Sequence, residues 1–217
     1  MNTNLTEIAY VLDRSGSMGG IIEAAITGFN EFLQQQLDQP GDANLSLMLF
    51  DDDFLAPHIR TPLQDVDELD ATTYVPRGCT ALLDAIGITI DELGKRIAAE
   101  PEDQRPAKVI VAIYTDGYEN SSTRYTLKKI NQMITHQREK YGWEFMFLAA
   151  NQDAIATAAQ MGIGRDMSSV SACIAGAHHA FSRKMSLLRK KALTGEEDED
   201  FHKPMGDVVR EEEEERE

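Results

Sequence analysis

Short apolar runs alternate along this chain with longer segments of helical periodicity. Ile8 to Leu12 is apolar throughout and stops at Asp13. The run is too short for a helix and predicts a strand buried on both faces. From Ser17 the pattern changes: Ile21, Ile22, Ala25, Ile26, Phe29, Leu33 and Leu37 recur at helical spacing, with Glu23, Asn30 and Gln34 between them. This predicts an amphipathic helix that Ser17 caps and Gln39-Pro40-Gly41 ends. Leu45, Leu47 and Leu49 then alternate, and Asp51-Asp52-Asp53 reads as a solvated turn into Phe54 to Ile59. That is a hairpin, and Pro57 makes its second arm an edge strand.

A loop rich in Pro, Asp and Thr leads through Cys79-Thr80 into a helix over Ala81 to Ala98, with Leu82, Leu83, Ile86, Ile90, Leu93 and Ile97 on one face. Val109 to Tyr114 repeats the opening design, an apolar strand followed shortly by a carboxylate, Asp116. The remaining pattern predicts a helix over Thr123 to Lys140, a buried strand over Trp143 to Ala150 and a short helix over Asp153 to Met161. A short strand within Asp166 to Val170 and a last helix over Ala172 to Lys191 follow. Strands alternating with helices, the central ones apolar on both faces, predict an α/β fold: a doubly wound, mostly parallel sheet with helices on both faces and one antiparallel edge strand.

Beyond Gly195 the periodicity is lost and acid dominates. Twelve acids stand against Lys203, Arg210 and Arg216, so residues 196–217 carry −9 of the chain's net −16 and residues 1–195 carry −7. The expectation is one domain over 1–195 and a solvated, disordered acidic tail over 196–217. Lys184, Arg189, Lys190 and Lys191 give the last helix a basic end, which complements the helix dipole and offers the tail a place to fold back. This balance argues against a nucleic-acid partner, which needs clustered cations, and suits a divalent cation or a basic protein surface. Cys79 and Cys173 have no zinc-site or disulfide-framework spacing. The N-terminus carries no basic leader with an apolar run, and no stretch reaches membrane-spanning length, so the expectation is a soluble cytoplasmic protein with no membrane association.

Candidate chemistry gathers at strand ends. In an open parallel sheet, ligands sit outside the carboxyl ends of the strands, near a switch in strand order. Asp13 and Asp116 lie at two such ends. Ser15 and Ser17 follow Asp13 at alternate positions, with Gly16 allowing a tight path, and Thr80 opens a helix that could project its hydroxyl to the same edge. Five oxygen donors without nitrogen or sulfur suit a hard cation, above all octahedral Mg²⁺. Three neutral hydroxyls and two carboxylates leave such an ion undercompensated, so it attracts a further anionic oxygen. The adjacent histidines His178 and His179 cannot face one direction on a helix, and the thiol of Cys79 has no His or second Cys to activate it.

The segments "DRSGS", "CTALLDAI" and "YTDG", in this order and on these elements, resemble the metal-ion-dependent adhesion site of von Willebrand factor A domains: D-x-S-x-S, a separated Thr, then a separated Asp-Gly. The resemblance covers roughly Thr6 to Lys191 and is similar to small stand-alone members from bacteria and their phages. It implies a Rossmann-like fold in which Ser15, Ser17 and Thr80 bind Mg²⁺ or Mn²⁺ directly. Asp13 and Asp116 would act largely through coordinated water, and a partner protein's Asp or Glu carboxylate would complete the shell. It also implies a binding module without catalysis, and the sequence carries no G-x-S-x-G or phosphate-loop pattern. Two other readings stand beside it. One is a Mg²⁺-dependent phosphatase with Asp13 as nucleophile, although the acid/base position two residues on is Ser15 rather than a second Asp. The other is an adaptor to an AAA-type ATPase.

Overall fold

Burial of every side chain from Thr6 to Ser15 makes the first strand the centre of the molecule. The computed structural model describes residues 1–149, 152–170 and 174–214. Strand β1 (Asn2–Asp13) lies between β2 (Asp42–Phe50) and β4 (Pro106–Thr115), parallel to both. Beyond β4 come β5 (Glu144–Ala149) and β6 (Ser168–Val170), also parallel, and β3 (Phe54–Pro62) closes the other edge antiparallel to β2. The order is β3-β2-β1-β4-β5-β6. This is the mostly parallel sheet with one antiparallel edge that the alternation of strand and helix predicted. The strand order reverses between β1 and β4, the switch point at which loops diverge and leave a crevice.

Among the described residues, six α-helices cover the sheet: α1 (Ile22–Leu37), α2 (Leu82–Ala99), α3 (Leu127–Tyr141), α4 (Gln152–Gln160), α5 (Ile174–Thr194) and α6 (Met205–Glu214). On one face Tyr10, Leu12, Leu45, Leu47 and Leu148 pack with Phe29, Phe32, Phe181 and Met185 from α1 and α5. On the other, Ala9, Val11, Val111, Ile113 and Phe147 pack with Ile86, Ile90, Ile130 and Ile134 from α2 and α3. Each two-residue alternation along β1 and β4 therefore feeds two separate cores. Met133, Met146 and Met185 are buried in them.

Three expectations are corrected. First, α1 begins at Ile22, because a 3-10 turn over Gly16–Gly20 precedes it; Ser17 sits inside this turn and is not the helix cap. Second, Asp51 is fully buried rather than solvated: its carboxylate accepts from the Asp53 amide and from Arg77 Nε at 3.0 Å, and its carbonyl accepts from the Ala81 amide. Third, the acidic segment is not a free tail. Its sequence hides an amphipathic turn, Met205, Val208 and Val209, and these side chains complete the core under α5. Arg183 pairs with Asp200, Glu211 and Glu212, Lys190 with Asp198, and Lys191 with Glu197, so the basic end of α5 does hold the acidic chain. Lys184 and Arg189 are buried instead. The Lys184 ammonium donates to the carbonyls of Phe201 and Lys203, and Arg189 to those of Gln36 in the last turn of α1 and Gly41 beyond it. The expected Ala172 start of the last helix and the Ala150 end of the strand expected from Trp143 lie outside the described residues.

Candidate metal centre

The register that pairs Leu12 with Tyr114 brings the ends of β1 and β4 side by side. Thr115 Oγ1 donates to Asp13 Oδ2 at 2.5 Å, and the Ser15 amide donates to Asp13 Oδ1 at 2.7 Å. The chain then turns sharply through Gly16, whose amide donates to the Gly78 carbonyl at 3.2 Å. This turn brings the Ser15 and Ser17 hydroxyls within 3.1 Å of each other, and Ser17 Oγ donates to Asp116 Oδ1 at 2.7 Å. Thr80 arrives from the opposite side. A Cβ built on Gly117 would lie 2.8 Å from Thr80 Oγ1 and 3.5 Å from both Asp13 Oδ2 and Ser17 Oγ. Glycine at 117 keeps that space clear, and the point marks where oxygens from all three segments meet. Asp13, Ser15, Ser17, Thr80 and Asp116 thus lie together at this edge of the sheet.

This arrangement fits a small divalent ion. Adjacent oxygens around octahedral Mg²⁺ at ~2.0–2.1 Å lie about 2.9 Å apart, and the Ser15 and Ser17 hydroxyls here lie 3.1 Å apart, with Asp116 accepting from Ser17 beside them. Among the described residues no three His, Cys, Asp or Glu side chains cluster to hold a metal, so the mixed hydroxyl–carboxylate cradle is what distinguishes this point. Asp13, Ser15 and Thr80 are buried, Asp116 is half-buried and Ser17 is exposed, so the cradle opens to solvent on one side.

The electrostatics point the same way. Burial raises the Asp13 carboxyl to about 6 despite hydrogen bonds from Thr115 and Ser15, with Asp116 adding to the rise. Burial also raises Asp116. Two carboxylates held close in a desolvated edge are poorly tolerated as anions without a cation.

Several residues that support the cradle were not read from the sequence. The Tyr74 hydroxyl donates to the Asp13 carbonyl at 2.5 Å, fixing the end of β1 from a loop with no periodicity. Asp52 Oδ1 accepts from the Cys79 amide, shaping the turn at Gly78, whose φ of 64° only glycine adopts freely. Thr115, directly before Asp116 in "YTDG", was the one legible signal: a hydroxyl at the last position of an otherwise apolar strand.

No protein-family model matches the sequence, and no curated protein matches it. Solved structures do resemble it. Proximal thread matrix protein 1 from the mussel byssus superposes with a TM-score of 0.58 at 13% identity, over 87% of this chain and 46% of that one. The manganese-loaded TRAP protein of Plasmodium vivax gives 0.58 at 16% identity, over 79% and 70%. A von Willebrand factor type A structure from Catenulispora acidiphila gives 0.55 at 12% identity, over 86% and 43%. The chain has the von Willebrand factor A fold. It spans less than half the length of the mussel and Catenulispora chains. A further structure of the mussel protein carries zinc in its MIDAS motif (TM-score 0.52, 12% identity, over 87% of this chain and 44% of that one). No described helix is long and apolar enough to cross a membrane.

Proposed function

We propose that this chain is a metal-dependent protein-interaction module. Its observational basis is the convergence of side-chain oxygens from the end of β1 and the turn after it, the turn before α2 and the loop after β4, with the Ser15 and Ser17 hydroxyls 3.1 Å apart and Asp116 2.7 Å from Ser17. Ser15, Ser17 and Thr80 would hold the ion directly, with Asp13 and Asp116 acting largely through water. The all-oxygen set favours Mg²⁺ or Mn²⁺ over softer metals. When bound, the ion supplies an electrophilic position for a carboxylate oxygen of a partner's Asp or Glu. The manganese-loaded TRAP structure and the zinc-occupied MIDAS motif of the mussel protein support a divalent ion as the group this fold takes here.

The chain's own residues do the rest. Burial of Asp13 and Thr80 excludes competing water from one side, while exposed Ser17 and the exposed Tyr118 and Val75 leave the other open to a protein surface. In this proposal the module performs no catalysis, acts in the cytoplasm and has neither nucleic acid nor membrane as partner. Immobilised full-length chain tests it. Proteins retained in Mg²⁺ should elute with EDTA, and the Asp116→Ala variant should retain none of them. Retention that survives both chelation and Asp116→Ala would end the proposal.

A further inference from the structure

Helix α2 has no cap of its own. Its boundary residue is Ala81, which has no side-chain acceptor, yet the amides of Thr80, Leu83 and Asp84 all find partners in the loop that follows Asp116. Asn120 Oδ1 accepts from the Thr80 amide at 2.9 Å, while the Asn120 and Ser121 amides donate back to the Thr80 carbonyl at 3.1 and 3.3 Å. Glu119 Oε2 accepts from the Leu83 amide at 2.9 Å and from Ser122 Oγ at 2.7 Å. Its other oxygen accepts from the Ser121 and Ser122 amides. Ser122 Oγ in turn accepts from the Asp84 amide, and the Asp84 carboxylate accepts from the amides of Thr123, Arg124 and Tyr125. The segment carrying Asp116 therefore caps, in trans, the helix that Thr80 precedes.

We propose that Asn120 and Glu119 are positioning residues of the metal centre: their clasp on Thr80 and on the start of α2 sets the separation of Thr80 Oγ1 from Asp116. This rests on the metal reading above. Neither residue is among the five oxygen donors that reading assigns. Thr80 and Asp116 are otherwise far apart in sequence and sit on different elements, so nothing covalent fixes their distance. Glu119 has a second effect. The start of α2 presents partial positive charge close to the place a cation would occupy, and a carboxylate on its free amides offsets that repulsion. Outer partners that orient ligands typically change metal affinity by about 10–100-fold when removed.

The test is calorimetric titration of Mn²⁺ alone into the full chain, with thermal midpoints in EDTA recorded in parallel. Asn120 is exposed, so Asn120→Ala opens no cavity; it should melt close to wild type in EDTA and bind Mn²⁺ about 10–100-fold more weakly. Asn120→Asp keeps an acceptor for the Thr80 amide and should restore binding. Glu119→Ala, a second variant acting on the helix start, should weaken Mn²⁺ by a similar factor, and amide exchange at Thr80 and Leu83 should quicken in the two alanine variants. Wild-type affinity in both alanine variants overturns the positioning role while leaving the metal reading intact. A wild-type chain that takes up no Mn²⁺ overturns both.

Discussion

His178 shows what one residue can reveal. Its ring is fully buried on α5, its Nδ1 lies 2.6 Å from the Tyr10 hydroxyl, and the Tyr114 ring packs against it at a tilt with centroids 4.8 Å apart. It fits only because Gly28 on α1 has no side chain: a Cβ there would lie 2.1 Å from the ring. Burial, with a smaller contribution from neighbouring His179, depresses its pKa to about 3. The folded protein therefore binds fewer protons than the unfolded chain between about pH 3 and the ordinary histidine value near 6.5. Stability rises with pH in this window and is lost as pH falls through it, by about 1.4 kcal/mol per unit. Denaturant titrations at stepped pH should show this slope in wild type and lose that component in His178→Gln; an unchanged slope contradicts the assignment. At this scale the sequence was partly legible. The adjacent histidines were correctly seen to face different ways, but Gly28 beneath one of them carried no signal without the helix–helix contact.

Among the elements, the centre was easier to read than the ends. β1, β4 and β5 announced themselves because continuous apolar runs have few other homes, and α1 and α2 because their apolar positions repeat at helical spacing. α6 did not, since three buried residues, Met205, Val208 and Val209, stand in a segment dominated by acid. Charge count described the segment's solvent side, and packing decided its structure. Full burial of these three contributes roughly 1.5–3 kcal/mol each, more than the surrounding ion pairs, whose side chains keep part of their surface in water. Ending the chain after Gly195 should therefore lower the thermal midpoint by about 10 °C or more, measured by circular dichroism. A truncated chain that melts with the full one would show that α6 contributes nothing to the core.

For the whole molecule, topology does what no local stretch can. Thr80 lies 67 positions after Asp13, and Asp116 a further 36 after Thr80; only the placing of β1 beside β4, with α2 starting at the same edge, makes them neighbours. The ligand-type residues were legible because each stands at the end of an apolar run or the start of a helix. The supports (Tyr74, Asp52 and Asn120) were not, because they act from irregular loops whose path follows from tertiary contacts. The central claim is that the converging oxygens hold one divalent ion. Its most direct test is titration of Mn²⁺ into the full chain near neutral pH, followed by the electron paramagnetic resonance of the free ion. One saturable site per chain is expected, displaced by Mg²⁺ and weakened at least about tenfold by Ser17→Ala, whose exposed hydroxyl can be removed without disturbing the core. Absence of saturable binding, or equal binding by that variant, would contradict the account.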